Sequence, residues 1–368
     1  MLRALNPGST IAVTGCYAER AGKDLIGCGA DTVAGNRDKA ALAEFLAIRP
    51  LHRSSRVFAQ GSTRVRSFVK IQDGCDRFCS YCIVPFVRPI KFSVDADAVL
   101  DAIRSRAAEG YKEIVLTGTE IGSYSSNGLN LTDLIKLILH GTSIARLHLT
   151  SLQPQEITEE LLALWQDRRL CRHFHIALQS GSDKVLKLMR RRYTTDIFRR
   201  SVEMVRASVP DASVTTDIIV GFPGESDEDF KNCLDFCRQL DFSALHIFPY
   251  SSRPGTAAAK MTERVSEHIK RQRSGIMLEL AAGSADMFAG RFTGQTREVL
   301  WEKEVRSGSQ IYSGLTDNYI RVYTGSSRDI TNTISGTCLV GHIGDSGPSF
   351  IGRSKKRKQG GLWGRPLL

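Results

Sequence analysis

The chain has 368 residues, 42% of them hydrophobic and 24% charged, the balance of a soluble globular protein of about two domains. No apolar run approaches the roughly 18–20 residues that cross a bilayer. The opening "MLRALNPGSTIAVTG" lacks the apolar centre of a signal peptide, so the cytoplasm and no membrane partner are expected. The formal charge of +11 and pI near 9.3 attract polyanions, of which RNA and DNA are the usual ones; a basic surface that binds nothing is the bland alternative. Nine cysteines in a reducing compartment disfavour disulfides and favour metal binding or catalysis.

Residues 1–50 begin with "STIAVTGCYAER", which reads as a buried strand entering a loop. A short strand in "DTVAGN" and a helix in "RDKAALAEFLA" follow. This piece is too short to bury its own core and is expected to be the end of a larger, truncated α/β domain. Residues 51–64 read as a linker.

From 65 to 290, strands alternate with helices. The strands are expected in "RSFVKIQ", "KEIVLTG", "ARLHLTS", "HFHIALQS", "SVTTDIIVGF" and "ALHIFPY". "DADAVLDAIRSRAAEGY" has helical apolar spacing, and "SDEDFKNCLDFCRQL" starts with a Ser226 N-cap and three carboxylates that suit the helix dipole. Six strand–helix units predict an α/β fold: an incomplete (βα)6 barrel, two units short of a closed one and open on one side. Chemistry in such folds sits at the carboxyl ends of the strands, where the loops "TGTE", "SLQP", "QSGS", "GFPGE" and "PYSSRPGT" would gather.

After residue 290 the pattern turns to short β-type runs: "TREVLWEKEV", "SQIYSGL", "NYIRVYTG" and "GTCLVGHIGD". Residues 291–352 are expected to form a small all-β, OB-like barrel. Residues 353–368 carry a basic run and are expected to be a disordered tail.

"DGCDRFCSYCIVP" places Cys75, Cys79 and Cys82 within eight residues. Structural zinc sites take four ligands, often as two distant C-x2-C pairs. No such pair lies downstream; Cys171, Cys233, Cys237 and Cys338 are scattered, and Cys233 and Cys237 suit a buried helix face. Thiolates also hold iron–sulfur clusters, and three of them on a [4Fe–4S] cube leave one iron open.

The spacing C-x3-C-x-aromatic-C, with Tyr81 as the aromatic, resembles the signature of the radical S-adenosylmethionine (SAM) superfamily. The resemblance implies that the open iron chelates SAM and that an electron cleaves it to methionine and a 5′-deoxyadenosyl radical. "QDGCDRFCSYCIVPF", "HIALQSGSDKVLKLMRRRYT", "DIIVGFPGESDEDF" and "HIFPYSSRPGTAAAKM" resemble successive blocks of the radical SAM methylthiotransferases, and "VTGCYAER" resembles the end of their N-terminal domain. "SGLTDNYIRV" and "PYSSRPGTAAAKM" are most similar to the branch acting on threonylcarbamoyladenosine in tRNA. The likeness covers about residues 9 to 345. It makes the β-domain similar to a TRAM RNA-binding domain.

The resemblance implies that Cys75, Cys79 and Cys82 hold the SAM cluster. Thr117, Gly118 and Glu120 would meet the methionyl end of SAM, with Tyr81, Ser151, Gln179, Ile219 and Gly221 lining the rest of its pocket. Cys16 matches the third of three cysteines that hold the family's second [4Fe–4S] cluster, whose first two would precede Met1; Cys28 is expected to be a small buried residue. Pro89, Phe92 and Gln153 depart from the family's residues there. Arg190, Arg191 and Arg192, and in the β-domain Tyr312, Tyr319, Arg321 and Tyr323, are candidate RNA contacts. The expected partners are the anticodon region of tRNA and a flavodoxin-type electron donor, with a monomeric chain. Two readings remain beside methylthiolation: SAM cleavage without sulfur insertion, and an inactive iron–sulfur or RNA-binding remnant.

Overall fold

The computed structural model describes residues 6–36, 38, 42 and 65–342, and the backbone of 362–366. Near the N-terminus, Ala12–Thr14 pairs in parallel with Thr32–Ala34, and the Cys16–Gly27 helix connects them. Both expected strands are present; the helix expected at 37–47 lies largely outside the described residues.

Six parallel strands follow in two triplets. Arg66–Lys70, Glu113–Thr117 and Arg146–Leu149 lie side by side, as do His173–His175, Ser213–Val220 and Ala244–Pro249. Parallel bridges Leu147–Leu170 and Leu152–Ile176 link the two triplets. The strands bury apolar side chains, among them Ile114, Leu116, Leu147, Leu149, Val214 and Ile218, while the opposite pleat also carries the polar His148 and Thr215.

The outer helices begin where the sequence places caps. The Asp95 carboxylate accepts from the Asp97 amide at 3.0 Å to start Ala96–Ala108, which buries Val99, Leu100 and Ile103. Ser226 and Asp229 form a reciprocal capping box at the head of Asp227–Leu240, whose inner face includes Cys233 and Cys237. Asn130 and Asp133 do the same for Leu131–Gly141. A 24-residue helix, Glu267–Gly290, packs against Ala244–Pro249. Among the described residues no helix is long and apolar enough to cross a membrane.

The C-terminal strands close into a barrel ordered Thr296–Glu304, Ile311–Thr316, Arg321–Gly325, Leu362–Pro366, Ile334–His342. Within the tail expected to be disordered, 353–368, residues 362–366 thus form a strand, and the rest lies outside the described residues. Residues 362–366 pair in parallel with Val322 and Tyr323 and antiparallel with Thr337–His342. Without that strand two neighbours would each expose a row of unpaired backbone groups; closure satisfies both. The basic run at 355–358 lies outside the described residues.

This barrel seats on the amino ends of the parallel strands. Arg146 donates to the Leu315 and Glu298 carbonyls at 2.9 and 2.7 Å, Asn318 to Asp211 O at 3.1 Å, and Asn332 to Gly110 O at 2.9 Å. Tyr319 stacks on His148 and His173, ring centroids 4.2 and 4.6 Å away, and its hydroxyl donates to Glu113. The opposite, carboxyl-end face is left for the thiol loop.

Candidate functional site

Gly74 starts the thiol loop at φ 77°, and a Cβ there would lie 2.1 Å from the Ile90 carbonyl oxygen, so glycine alone fits. Gln72 is fully buried. Its amide nitrogen donates to the Gly74 carbonyl and its oxygen accepts from the Glu120 amide, both at 2.7 Å. One side chain thereby ties the thiol loop to the turn carrying Thr117, Gly118 and Glu120. Mid-loop, the Ser80 hydroxyl donates to Leu188 O at 2.7 Å, and its carbonyl accepts from the Ala258 amide at 2.7 Å. The loop is therefore held from three other segments.

None of Cys75, Cys79 and Cys82 is in a disulfide. Burial pushes the Cys75 thiol up to about 11 and also raises Cys82. Among the described residues, the set of three metal-ligating atoms within 4.8 Å of one another is His175, Asp217 and His246, and the three thiols form no such set. A tetrahedral zinc, with Zn–S about 2.3 Å, would bring its sulfurs to roughly 3.8 Å. Among the described residues the three thiols are therefore not gathered as one ion would need, and their donor set fits a multi-iron cluster.

Charged groups surround the loop. Glu120 pairs with Arg77 and lies 3.6 Å from the Cys75 sulfur. Arg77 also reaches Glu156 at 3.5 Å, and burial, with Glu120 nearby, pushes Glu156 up to about 7. Arg191 donates to Cys79 Sγ at 3.3 Å, to Tyr193 Oη at 2.9 Å and to Gln153. These contacts turn Arg191, a candidate RNA contact, toward the thiol loop. Arg190, at φ 57°, turns the chain so that Arg191 points inward while Arg190 and Arg192 stay exposed.

Tyr81, Gln179 and Ile219 share a cavity of about 240 Å³ with Asp217, Phe248, Tyr250 and Arg253. Gln179 holds a left-handed φ of 71°, fixed by bonds from its amide to Asp217 O and from the Ile219 amide to its carbonyl, both 2.9 Å. A strained residue at a strand end points to a functional constraint. Gly221, at φ 69°, donates to Glu225 at 2.9 Å, and Arg273 pairs with that carboxylate. Ser151 is exposed beyond the Arg146–Leu149 strand.

Cys16 opens its helix 3.3 Å from Arg88 Nε and 3.6 Å from Asn36 Nδ2. Arg88 continues to Asp73 at 2.8 Å, two residues before Cys75, so Cys16 faces the thiol loop through one ion pair. Cys28 is exposed, not buried as expected. Phe92 lies under Lys70, whose Nζ is 5.6 Å from the ring centroid.

In the β-barrel, Tyr319 lays one ring face over both His148 and His173, themselves 5.0 Å apart, and Arg66 lies 5.7 Å from its ring centroid. Arg321 pairs with Glu302, Tyr312 is buried and Tyr323 is half-buried. Sequence reading missed Gln72, Arg77 and Glu156. Gln72 left a signal, a polar residue at an inward pleat position two residues before a glycine.

A three-thiol loop at the carboxyl ends of six parallel strands is the frame of a radical SAM protein, and residues 69–237 match the radical SAM superfamily. Threonylcarbamoyladenosine tRNA methylthiotransferase MtaB of Bacillus subtilis (strain 168) is 32% identical over 351 residues, covering 89% of this chain and 78% of that one. Its namesake in Aquifex aeolicus (strain VF5) is 34% identical over 335 residues, covering 86% and 80%. The tRNA-2-methylthio-N(6)-dimethylallyladenosine synthase of Endomicrobium trichonymphae is 34% identical over 323 residues, covering 86% and 77%. The chain belongs to the family of radical SAM tRNA methylthiotransferases.

Proposed function

We propose that the chain inserts a methylthio group at C2 of N6-threonylcarbamoyladenosine in the anticodon region of tRNA. The observation that carries this is the three-thiol loop lying beside a cavity of mixed aromatic and polar lining, to which Tyr81 of the loop itself contributes. In this reading Cys75, Cys79 and Cys82 hold a [4Fe–4S] cluster. When bound, the cluster and SAM supply the radical that activates the C–H bond. Thr117, Gly118 and Glu120 orient the methionyl end of SAM, and Tyr81, Ser151, Gln179, Ile219 and Gly221 line its remainder. Cys16 is read as the remnant of a second cluster's ligand set, which a single thiolate does not complete.

The cavity favours the threonylcarbamoyl branch over the dimethylallyl branch, although relatives from both are about equally similar. Its lining mixes Tyr81, Ile219, Phe248 and Tyr250 with Gln179, Asp217, Ser251 and Arg253, and the exposed Arg253 guanidinium suits a substrate carboxylate. An apolar dimethylallyl group would leave those groups unpaired. The strand triplets act as one incomplete (βα)6 barrel over about 65–290, preceded by the 1–50 piece. The C-terminal β-barrel acts as a TRAM-type RNA clamp. A cytoplasmic monomer served by a flavodoxin-type reductant completes the reading.

The test is anaerobic reconstitution with iron, sulfide, SAM and reductant, followed by mass spectrometry of nucleosides from tRNA carrying either modification. Methylthio product from threonylcarbamoyladenosine alone is expected. Product only from the dimethylallyl substrate would overturn the branch, and no 5′-deoxyadenosine would overturn the radical reading.

A further inference from the structure

An unbroken hydrogen-bond chain runs along the inner face of the strands, away from the thiol loop. His148 Nε2 meets His173 Nδ1 at 2.8 Å, and His173 Nε2 meets Thr215 Oγ1 at 3.0 Å. The same hydroxyl meets His175 Nδ1 at 3.0 Å, and His175 Nε2 meets Asp217 Oδ2 at 3.3 Å.

Counting hydrogens sets the direction of this chain. Four contacts need four hydrogens; with one N–H on each imidazole, three rings and one hydroxyl supply four. Burial pushes His173 down to about 3 and holds His148 well below its usual range, so both are neutral. In one direction each group donates to the next, ending with His175 Nε2–H on the Asp217 carboxylate. In the other, His175 turns a bare lone pair onto that carboxylate, and His148 buries an N–H at Nδ1, which has no hydrogen-bond partner. The network therefore assigns the first direction.

The chain ends in the cavity. Asp217 and Ile219 are two residues apart on one strand, so Asp217 lies on the same face, one pleat deeper than the residue proposed to line the SAM pocket. With Oδ2 held by His175, the carboxylate retains capacity to accept a donor from a ligand. Phe248 and Tyr250 line the same cavity. Bases taken out of a stack are read by hydrogen bonds to their edge and by stacking. The exocyclic N6–H is the donor that adenine offers there.

We propose that Asp217, oriented by the His148–His173–Thr215–His175 chain, selects the substrate base by accepting the exocyclic N–H of an N6-substituted adenine. This rests on the tRNA reading above and names the residue that would choose the base. The rival occupant is a metal ion on His175, Asp217 and His246, whose ligand atoms lie within 4.8 Å of one another. A metal would need the His175 Nε2 lone pair, which reverses the chain and buries the His148 N–H.

The test is fluorescence anisotropy with reconstituted protein and anticodon stem-loops carrying, at the target position, N6-methyladenosine or N6,N6-dimethyladenosine. The wild type is expected to bind the N–H-bearing RNA at least tenfold more tightly. Asp217→Leu should abolish that preference, and Thr215→Val, which breaks the chain but spares the carboxylate, should reduce it. Variants are compared at matched iron content and melting temperature. Equal wild-type affinities, or a preference that survives both substitutions, would overturn the proposal. So would one equivalent of non-cluster metal that is lost in His246→Ala. Methylthiolation without N–H discrimination would sink this inference alone; discrimination without any methylthio product would sink only the functional reading.

Discussion

Arg191 donates to the Cys79 thiol from 3.3 Å, and the same guanidinium reaches the Tyr193 hydroxyl and Gln153. Tyr193 in turn donates to the Leu178 carbonyl at 2.8 Å, beside Gln179. One arginine thus links a candidate cluster ligand to the strand end that lines the cavity. A cation hydrogen-bonded to a ligating sulfur stabilises added negative charge on a cluster. Arg191→Met should keep about four irons per chain, the content of one [4Fe–4S] cluster, yet lower the cluster's midpoint potential in an EPR-monitored titration and slow SAM cleavage at least tenfold. An unchanged potential would remove Arg191 from that role.

Arg190 and Arg192 flank it and are exposed. Reversing both charges should weaken tRNA binding and flatten its salt dependence, by about 0.7 to 0.9 in log–log slope for each phosphate that no longer meets a cation. SAM cleavage without RNA should fall less than tRNA binding, because Arg191 between them, not Arg190 or Arg192, makes the hydrogen bond to Cys79. Unchanged affinity would place the RNA path elsewhere.

Gly74→Ala tests the turn that launches the thiol loop. The substitution forces an L-residue to φ 77° and drives its Cβ to 2.1 Å from a backbone oxygen, a clash that no side-chain movement relieves. A loss of at least about 2 kcal/mol is expected, read as a lower melting temperature, together with reduced iron uptake. Wild-type iron content and melting temperature would show that the loop tolerates another path.

The strands and the thiol loop were legible because their signals are local. Runs such as "EIVLT" are apolar on both faces, and the cysteine spacing fits in eight residues. The inward contacts of Arg191 and Tyr319 were not legible for one physical reason. Each sits at or beside a left-handed residue, φ 57° at Arg190 and 65° at Tyr319, and such a turn redirects side chains against any period. The closing strand at 362–366 was hidden because both of its partners lie at least twenty residues away and the segment includes a glycine and a proline. Glu156 is a site residue only because a separate loop brings Arg77 to it, which no local pattern records.

Glu156 carries the last prediction. Its side chain is 10% exposed, and burial, aided by the Glu120 charge, raises it from 4.5 to about 7. A carboxyl whose folded pKa is raised favours the protonated form in the folded state. Its contribution to stability is fully present below about pH 4.5 and is lost as pH rises to 7. Glu156→Gln keeps the shape and the acceptor for the Gln153 amide but cannot ionise. Wild type and variant should melt together near pH 4.5. By pH 8 the variant should be the more stable, by on the order of 2–3 kcal/mol. The comparison is made without SAM, whose ammonium group would favour the ionised carboxylate and narrow the gap. Melting curves that stay parallel from pH 4.5 to 8 would mean that Arg77 already neutralises Glu156 in the folded protein.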